Sequence, residues 1–237
     1  MDIAVRTLTD PAEWARIPQL EQAIWGNGDP VPASCIRVMV SLGGQVAVAF
    51  DRREPDCWLG FTMSIGGSDA EGPFLYSHQA GVVPARQGQG IGRLLKYHQN
   101  AWADQAGYKR IRWTFDPLRA GNAYFNVGVL GARINAYYPN YYGTMTSQLN
   151  RGLPSDRVLC EWAVPGPARR PASAVEPALA IRIPPDIGAL KVRDPERALY
   201  WRETVKRAFE EAFHAGYQVV GFRKDPAPVY LLAAPQG

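Results

Sequence analysis

Residues 3–7 alternate apolar and polar positions, the two-residue period of a strand with one buried face. Asp10, Pro11 and Glu13 then supply an N-cap, a proline at the first helical position and an acid at N3, so a helix is predicted to start there. Its apolar stripe is Trp14, Ile17, Leu20, Ala23 and Ile24; Pro18 is a point for a kink, and the run from Gly26 to Pro30 breaks the pattern. A second, short helix is expected over 32–42. Strands over 45–50 and 57–65 flank the polar stretch 51–56, which has the length of a hairpin loop, and 66–72 reads as a turn-rich gap. A third apolar run, 74–83, ends at Pro84 and gives way to a glycine-rich turn. The helix that follows carries Ile91, Leu94, Leu95, His98 and Trp102 on one face and is closed by Gly107. With a strand over 109–115, this makes a strand–helix–strand unit that needs a crossover connection. A helix over 122–132 and a strand over 158–164 complete the first part.

Four prolines, Arg169-Arg170 and few bulky apolar residues mark 165–178 as an exposed linker. Beyond it, a strand over 180–183 precedes a helix capped by Asp194-Pro195. Its stripe is Ala198, Trp201, Val205, Ala208, Phe209, Ala212 and Phe213, and Gly216 closes it. Strands over 217–222 and 229–232 end the pattern. A segment of 59 residues, 179–237, is marginal on its own, so it is expected to dock on residues 1–164.

The 237 residues, 46% hydrophobic and 20% charged, are enough for a full core and exclude disorder as the main state. A net charge of +4 neither demands nor supports a nucleic-acid partner. Cys35, Cys57 and Cys160 are far apart and odd in number, which suits a reduced, cytoplasmic protein without a disulfide framework. No signal-peptide pattern or membrane-length apolar run is expected, and His78, His98 and His214 lack the spacing of a zinc site, so no metal is expected.

Charge is concentrated, however. From Gly81 to Arg112 six Lys/Arg face the single Asp104. Within that stretch Gly88, Gly90 and Gly92 lie where a strand passes into a helix, a geometry that presents free backbone N–H groups and the positive end of a helix dipole to an anion. Arg86, Arg93 and Lys96 add formal charge. Counting from Gly88, Arg93 stands where a dinucleotide fingerprint needs its third glycine, and Gly92 is not followed by the Lys-Ser/Thr of a nucleotide P-loop.

What remains, Gln87-x-x-Gly90-x-Gly92 after Val82-x-Pro84, resembles the pyrophosphate-binding motif of the Gcn5-related N-acetyltransferase (GNAT) superfamily. The order of elements agrees, as does Leu130-Gly131-Ala132, similar to that superfamily's closing Leu-Gly-Phe. The stretches Trp113–Leu118, Asn122–Asn126 and Tyr138–Gly143, with Trp201-Arg202 and Gly216-Tyr217, look like a bacterial subgroup with a C-terminal extension, some of whose members are associated with amino-acid N-acylation.

The resemblance implies an α/β fold with a mixed, mostly antiparallel central sheet flanked by helices on both faces, and a small C-terminal αβ extension. It implies transfer of an acetyl or other small acyl group from acyl-CoA to a small-molecule amine, by direct attack in a ternary complex. Val82 and Val83 would meet the pantetheine arm; Gln87, Gly88, Gln89, Gly90, Ile91, Gly92 and Arg93 would hold the pyrophosphate; Asn122 would either touch the coenzyme or cap its helix. The usual acid, a Tyr four residues before the closing Gly, is replaced by Val127, leaving Tyr124, Tyr138, Tyr141 and Tyr142 as neighbours, with Tyr138 and Tyr141 taken as catalytic candidates, or else as packing or acceptor-binding residues of an aromatic loop. No Glu stands on the motif strand; His78 is the candidate base, or else a structural histidine. A non-catalytic acyl-CoA-binding module and a nucleic-acid module are the competing classes, no membrane partner is expected, and a homodimer is left open.

Overall fold

The computed structural model describes residues 1–26, 30–143, 152–166 and 176–235. Most of the 165–178 linker and part of the break after Gly26 therefore lie outside the described residues. In chain order the elements are β1 (Ile3–Thr7), α1 (Pro11–Trp14), α2 (Ile17–Trp25), α3 (Ala33–Ser41), β2 (Val46–Asp51), β3 (Glu54–Asp69) and β4 (Gly72–Val82), then α4 (Ile91–Gln105), β5 (Arg110–Phe115), α5 (Ala120–Ala123), β6 (Arg133–Tyr138) and β7 (Arg157–Ala163). After these come β8 (Leu179–Arg182), α6 (Ile187–Arg193), α7 (Pro195–His214), β9 (Gln218–Arg223) and β10 (Val229–Ala233). A seven-stranded sheet has the order β1-β2-β3-β4-β5-β7-β6, with β4 and β5 parallel, and a three-stranded sheet the order β8-β10-β9. No described helix is long and apolar enough to cross a membrane.

The chain forms two compact units, Met1–Trp113 with Ala163–Gly166 and Thr114–Trp162 with Pro167–Gly237. In the first, helices pack on both sheet faces. Trp14, Ile17, Leu20, Ile24 and Ile36 of α1–α3 pack with Val46, Val48, Trp58, Phe61 and Met63, while Ile91 and Leu95 of α4 pack with Ala49 and Leu59 on the other side. A register shift between Ala49 and Phe50 explains why Trp58 and Leu59 fall in different clusters from the ones strict alternation would assign. Asp10 caps α1 by accepting from Ala12 N, and Pro18 opens α2, so one expected helix is two.

The gap expected over 66–72 is largely strand. Gly66 and Gly67 pair with Leu75 and Phe74, and a Cβ at Gly66 would lie 2.2 Å from the Leu42 carbonyl oxygen; the glycines mark close approach, and the turn itself is confined to Ala70 and Glu71.

In the second unit, Tyr230 is fully buried among Phe209 and Phe222, with ring centroids 5.0 and 4.9 Å away, and its hydroxyl donates to the Pro117 carbonyl at 2.8 Å. Arg202 of α7, 1% exposed, makes a bidentate pair with Asp116 at 2.8 and 2.9 Å. Two elements, β6 and α6, have no counterpart in the sequence pattern: β6 is short and half-buried, and α6 starts two residues after Pro185, although Asp186 caps it by accepting from Ala189 N. Residues 124–129 continue α5 as a π-helical turn.

Candidate functional site

β4 is antiparallel to β3 along its whole length but parallel to β5 only at Leu75–Ile111 and Tyr76–Arg112. Among the described residues β4 pairs past Tyr76 with β3 alone, so its other edge carries no strand there. The opening coincides with a β-bulge: Met63 pairs with Gln79 and Ser64 with Ser77, which makes His78 the extra residue. His78 reaches solvent, but atoms around its ring desolvate it in part, which lowers its pKa from the ordinary 6.5 and favours the neutral imidazole at pH 7.

At the end of β4, Val83 N still donates to Leu59 O at 2.9 Å, and a 3₁₀ turn at Pro84–Arg86 leads into the glycine turn. Gly88 (φ 76°) and Gly90 (φ 82°) are left-handed, a conformation that costs an L-residue free energy, and no atom lies within 4 Å of where their Cβ would be. Gly92 is already within α4 and is not left-handed. The first amides of α4 to find a partner are those of Arg93 and Leu94, on Gly90 O. Among the described residues no hydrogen bond engages the N–H groups of residues 88–92, which leaves five successive donors at the positive end of a fifteen-residue helix. That arrangement can take a phosphate.

The side chains around the turn divide differently from the sequence expectation. Gln87 Nε2 donates to Val82 O at 3.0 Å and so braces the turn, and the Ile91 side chain is buried against Leu95, so only its amide faces outward. Arg86 and Arg93 are exposed. Lys96 is not a charge of the turn: it is buried, with Nζ 3.0 Å from Ser77 Oγ, 2.7 Å from Gln99 Oε1 and 4.0 Å from the centre of the Trp113 ring. Arg110 and Arg112 pair with Asp69 and Glu71 on β3 and its turn. The positive stretch read from the sequence is thus partly cancelled by acids distant in the chain.

Tyr138, Tyr141 and Asn122 belong to the second unit. Tyr138 and Tyr141 are exposed and stacked, centroids 5.3 Å apart, and Tyr142 meets Tyr141 edge-on at 4.7 Å. Ser155 and Asp156 hold this loop, accepting from the backbone N–H groups of Tyr141, Tyr142 and Asn140. Val127 is buried in the π-helical turn and Tyr124 is exposed. Asn122 is exposed at the third residue of α5, whose N-cap is Arg119, so Asn122 does not cap that helix.

One titratable group against β4 is absent from the sequence reading. Glu21 sits on the buried stripe of α2 with Ile17, Leu20 and Ile24 and is 3% exposed. Its Oε2 accepts from Val31 N at 2.8 Å; Oε1 has no well-formed hydrogen bond, although the Gln79 side chain of β4 comes near enough to offset part of the effect of burial. Burial prevails and raises the pKa above the ordinary 4.5. A carboxylate at an apolar-stripe position was the legible signal.

No family model matches the chain, and no curated protein matches it. Solved structures do. The yncA protein of Salmonella typhimurium, solved with acetyl-CoA, aligns at a TM-score of 0.52 and 19% identity over 73% of this chain and 99% of that one. The chain has the GNAT fold. Two other structures agree at similar distance. The ribosomal-protein-S18-alanine N-acetyltransferase of Escherichia coli gives a TM-score of 0.53 at 13% identity, over 73% and 98% of the two chains. NAA60 of Arabidopsis thaliana, solved with a bisubstrate analogue, gives 0.54 at 16% identity, over 70% and 99%. Whole GNAT chains therefore align with about seven-tenths of this one.

Proposed function

We propose that the protein is a GNAT-type N-acyltransferase that moves an acetyl or other small acyl group from acyl-CoA to the amine of a small molecule, an amino acid being one such acceptor. The observation that carries this reading is the row of unpartnered amides over residues 88–92 at the end of a strand whose edge is open from Ser77 onward. The amides of Gly88, Gln89, Gly90, Ile91 and Gly92, with Arg93, would hold the pyrophosphate, and Val82 and Val83 would line the pantetheine arm, with Val82 N–H as its hydrogen-bond donor, because Val83 N and O are already taken by Leu59 O and Arg86 N. Bound there, the coenzyme supplies a thioester carbonyl to an attacking amine.

The chain's own part is positioning and proton transfer. Holding both reactants converts a bimolecular encounter into a local one. The amine must lose a proton, and His78, neutral at pH 7 and displaced from the strand's regular pattern by the bulge, is the assigned acceptor. Residues 1–164 with the extension 179–237 are proposed as one functional chain in the cytoplasm, with a homodimer as its assembly to be tested.

The test is thiol release from acetyl-CoA and succinyl-CoA against a panel of amino acids, polyamines and peptide N-termini. Release with a small amine supports the reading. Release only with peptides moves the acceptor class, and tight coenzyme binding without release from any acceptor identifies a silent binding module, which the buried Val127 at the usual acid position would then explain.

A further inference from the structure

The second unit contains a cleft of about 590 Å³ at the corner where α6 passes into α7, within the roughly 300–1,000 Å³ usual for small-molecule sites. Its apolar wall is made by Pro184, Leu190 and Trp201. Trp201 belongs to the apolar stripe of α7, yet it is only half-buried, whereas Ala198, Val205 and Phe209 of the same helix are buried. An indole is thus left lining the cleft, a large apolar surface for a ligand to cover.

Four charged side chains line the same cleft: Asp186, Arg193, Asp194 and Arg197. All four are exposed, and none forms an ion pair with another or with any other described residue. The two carboxylates are fixed in place because each holds a helix start: Asp186 Oδ1 accepts from Ala189 N at 3.0 Å, and Asp194 Oδ1 from Arg197 N at 2.9 Å. Their second oxygens accept from no described group.

The order of the charges narrows the ligand. A cation at 193, an anion at 194 and a cation at 197 alternate within one helical turn, and Asp186 adds a second anion. A plain anion drawn to the arginines is repelled by the aspartates beside them, and a plain cation meets the reverse. A molecule with a carboxylate and an ammonium on one carbon satisfies both signs at once. Guanidinium groups suit its carboxylate, and the free aspartate oxygens suit its ammonium.

We infer that this cleft binds a free α-amino acid with an apolar side chain, its carboxylate on Arg193 and Arg197, its ammonium on Asp194 and Asp186, and its side chain against Trp201. The assignment rests on the second unit alone and is independent of acyl transfer.

The test is calorimetric titration of the full chain with L-phenylalanine and, separately, with 3-phenylpropionate and 2-phenylethylamine, which keep the ring and lose one charge each. Saturable heat is expected with L-phenylalanine, and each analogue should bind roughly fivefold to tenfold more weakly, the loss of one exposed charged contact. Arg193→Gln and Asp194→Asn should each weaken L-phenylalanine by a similar factor. Asn keeps the capping oxygen, so Asp194→Asn should melt with the wild type, and its weaker binding then reports the lost charge and not a lost cap. Arg207→Gln, on the exposed side of α7, should leave the affinity unchanged. No saturable heat with L-phenylalanine, equal affinity for the singly charged analogues, or an unchanged Kd in both cleft variants, as an amino acid bound elsewhere on the chain would show, would overturn the assignment.

Discussion

Gly90 offers a way to separate backbone strain from ligand binding. Its φ of 82° is left-handed and no atom lies within 4 Å of a built Cβ, so substitution creates no clash and its folding cost is conformational, about 1–2 kcal/mol. Gly107, past the other end of α4, has φ 85° and equally open surroundings. Gly107→Ala should thus lose the same stability as Gly90→Ala, a melting shift of about 2–4 °C per kcal/mol in a chain of this length. Only the Gly90 substitution disturbs the row of free amides. Losing one amide contact to a charged phosphate costs about 1.5–3 kcal/mol, so the Kd for coenzyme A should rise roughly tenfold to a hundredfold in Gly90→Ala, and further in Gly90→Glu, where a carboxylate faces the phosphate. Gly107→Ala should bind as wild type. Calorimetry with coenzyme A alongside thermal melts reads both quantities on the same samples. If Gly90→Glu melts like Gly90→Ala yet binds coenzyme A as tightly as wild type, the amides of residues 88–92 do not hold the phosphate and the functional reading fails.

Three further outcomes are expected. If His78 accepts the amine's proton, kcat/KM should rise with pH through an acid limb centred below 6.5, and His78→Gln should abolish that limb; its persistence in the variant assigns the proton to another group. Glu21 has a folded-state pKa above its unfolded value, so its contribution to stability is full below 4.5 and is lost as pH rises through the folded pKa. Glu21→Gln keeps an acceptor for Val31 N and should therefore melt higher than wild type at neutral pH but not near pH 4, and a lower melt at neutral pH would show that the buried carboxylate is not penalised. Arg202→Met strands the Asp116 carboxylate and should cost about 3–5 kcal/mol in denaturant unfolding, most of it recovered by adding Asp116→Leu; an additive pair would mean the two groups do not act together.

Much of the fold was readable from local pattern. The caps Asp10 and Asp194, the stripes of α2 and α7, and the strand alternation in β1 all use interactions within a few residues, which periodicity reports directly; of the stripe expected on α4, Ile91 and Leu95 are buried but Leu94 is exposed. The glycine turn was readable for the same reason: positive φ at Gly88 and Gly90 is a property of the backbone at those positions. The extent of β3 was not, because Gly66 and Gly67 look like turn formers unless the backbone that presses on them is known.

The sequence by itself determined the caps of α1 and α7, the apolar faces of α2 and α7 and the place of the glycine turn. Tertiary structure decided which charges are free to act. It withdrew Lys96 into a pocket with Gln99 and Trp113, cancelled Arg110 and Arg112 with Asp69 and Glu71, bulged β4 at His78, and joined Asp116 to Arg202 across 86 residues. The reason is physical: hydrogen-bonded periodicity is set by near neighbours along the chain, whereas the charge a side chain presents depends on desolvation and on partners within a few ångströms in space, whatever their distance in sequence.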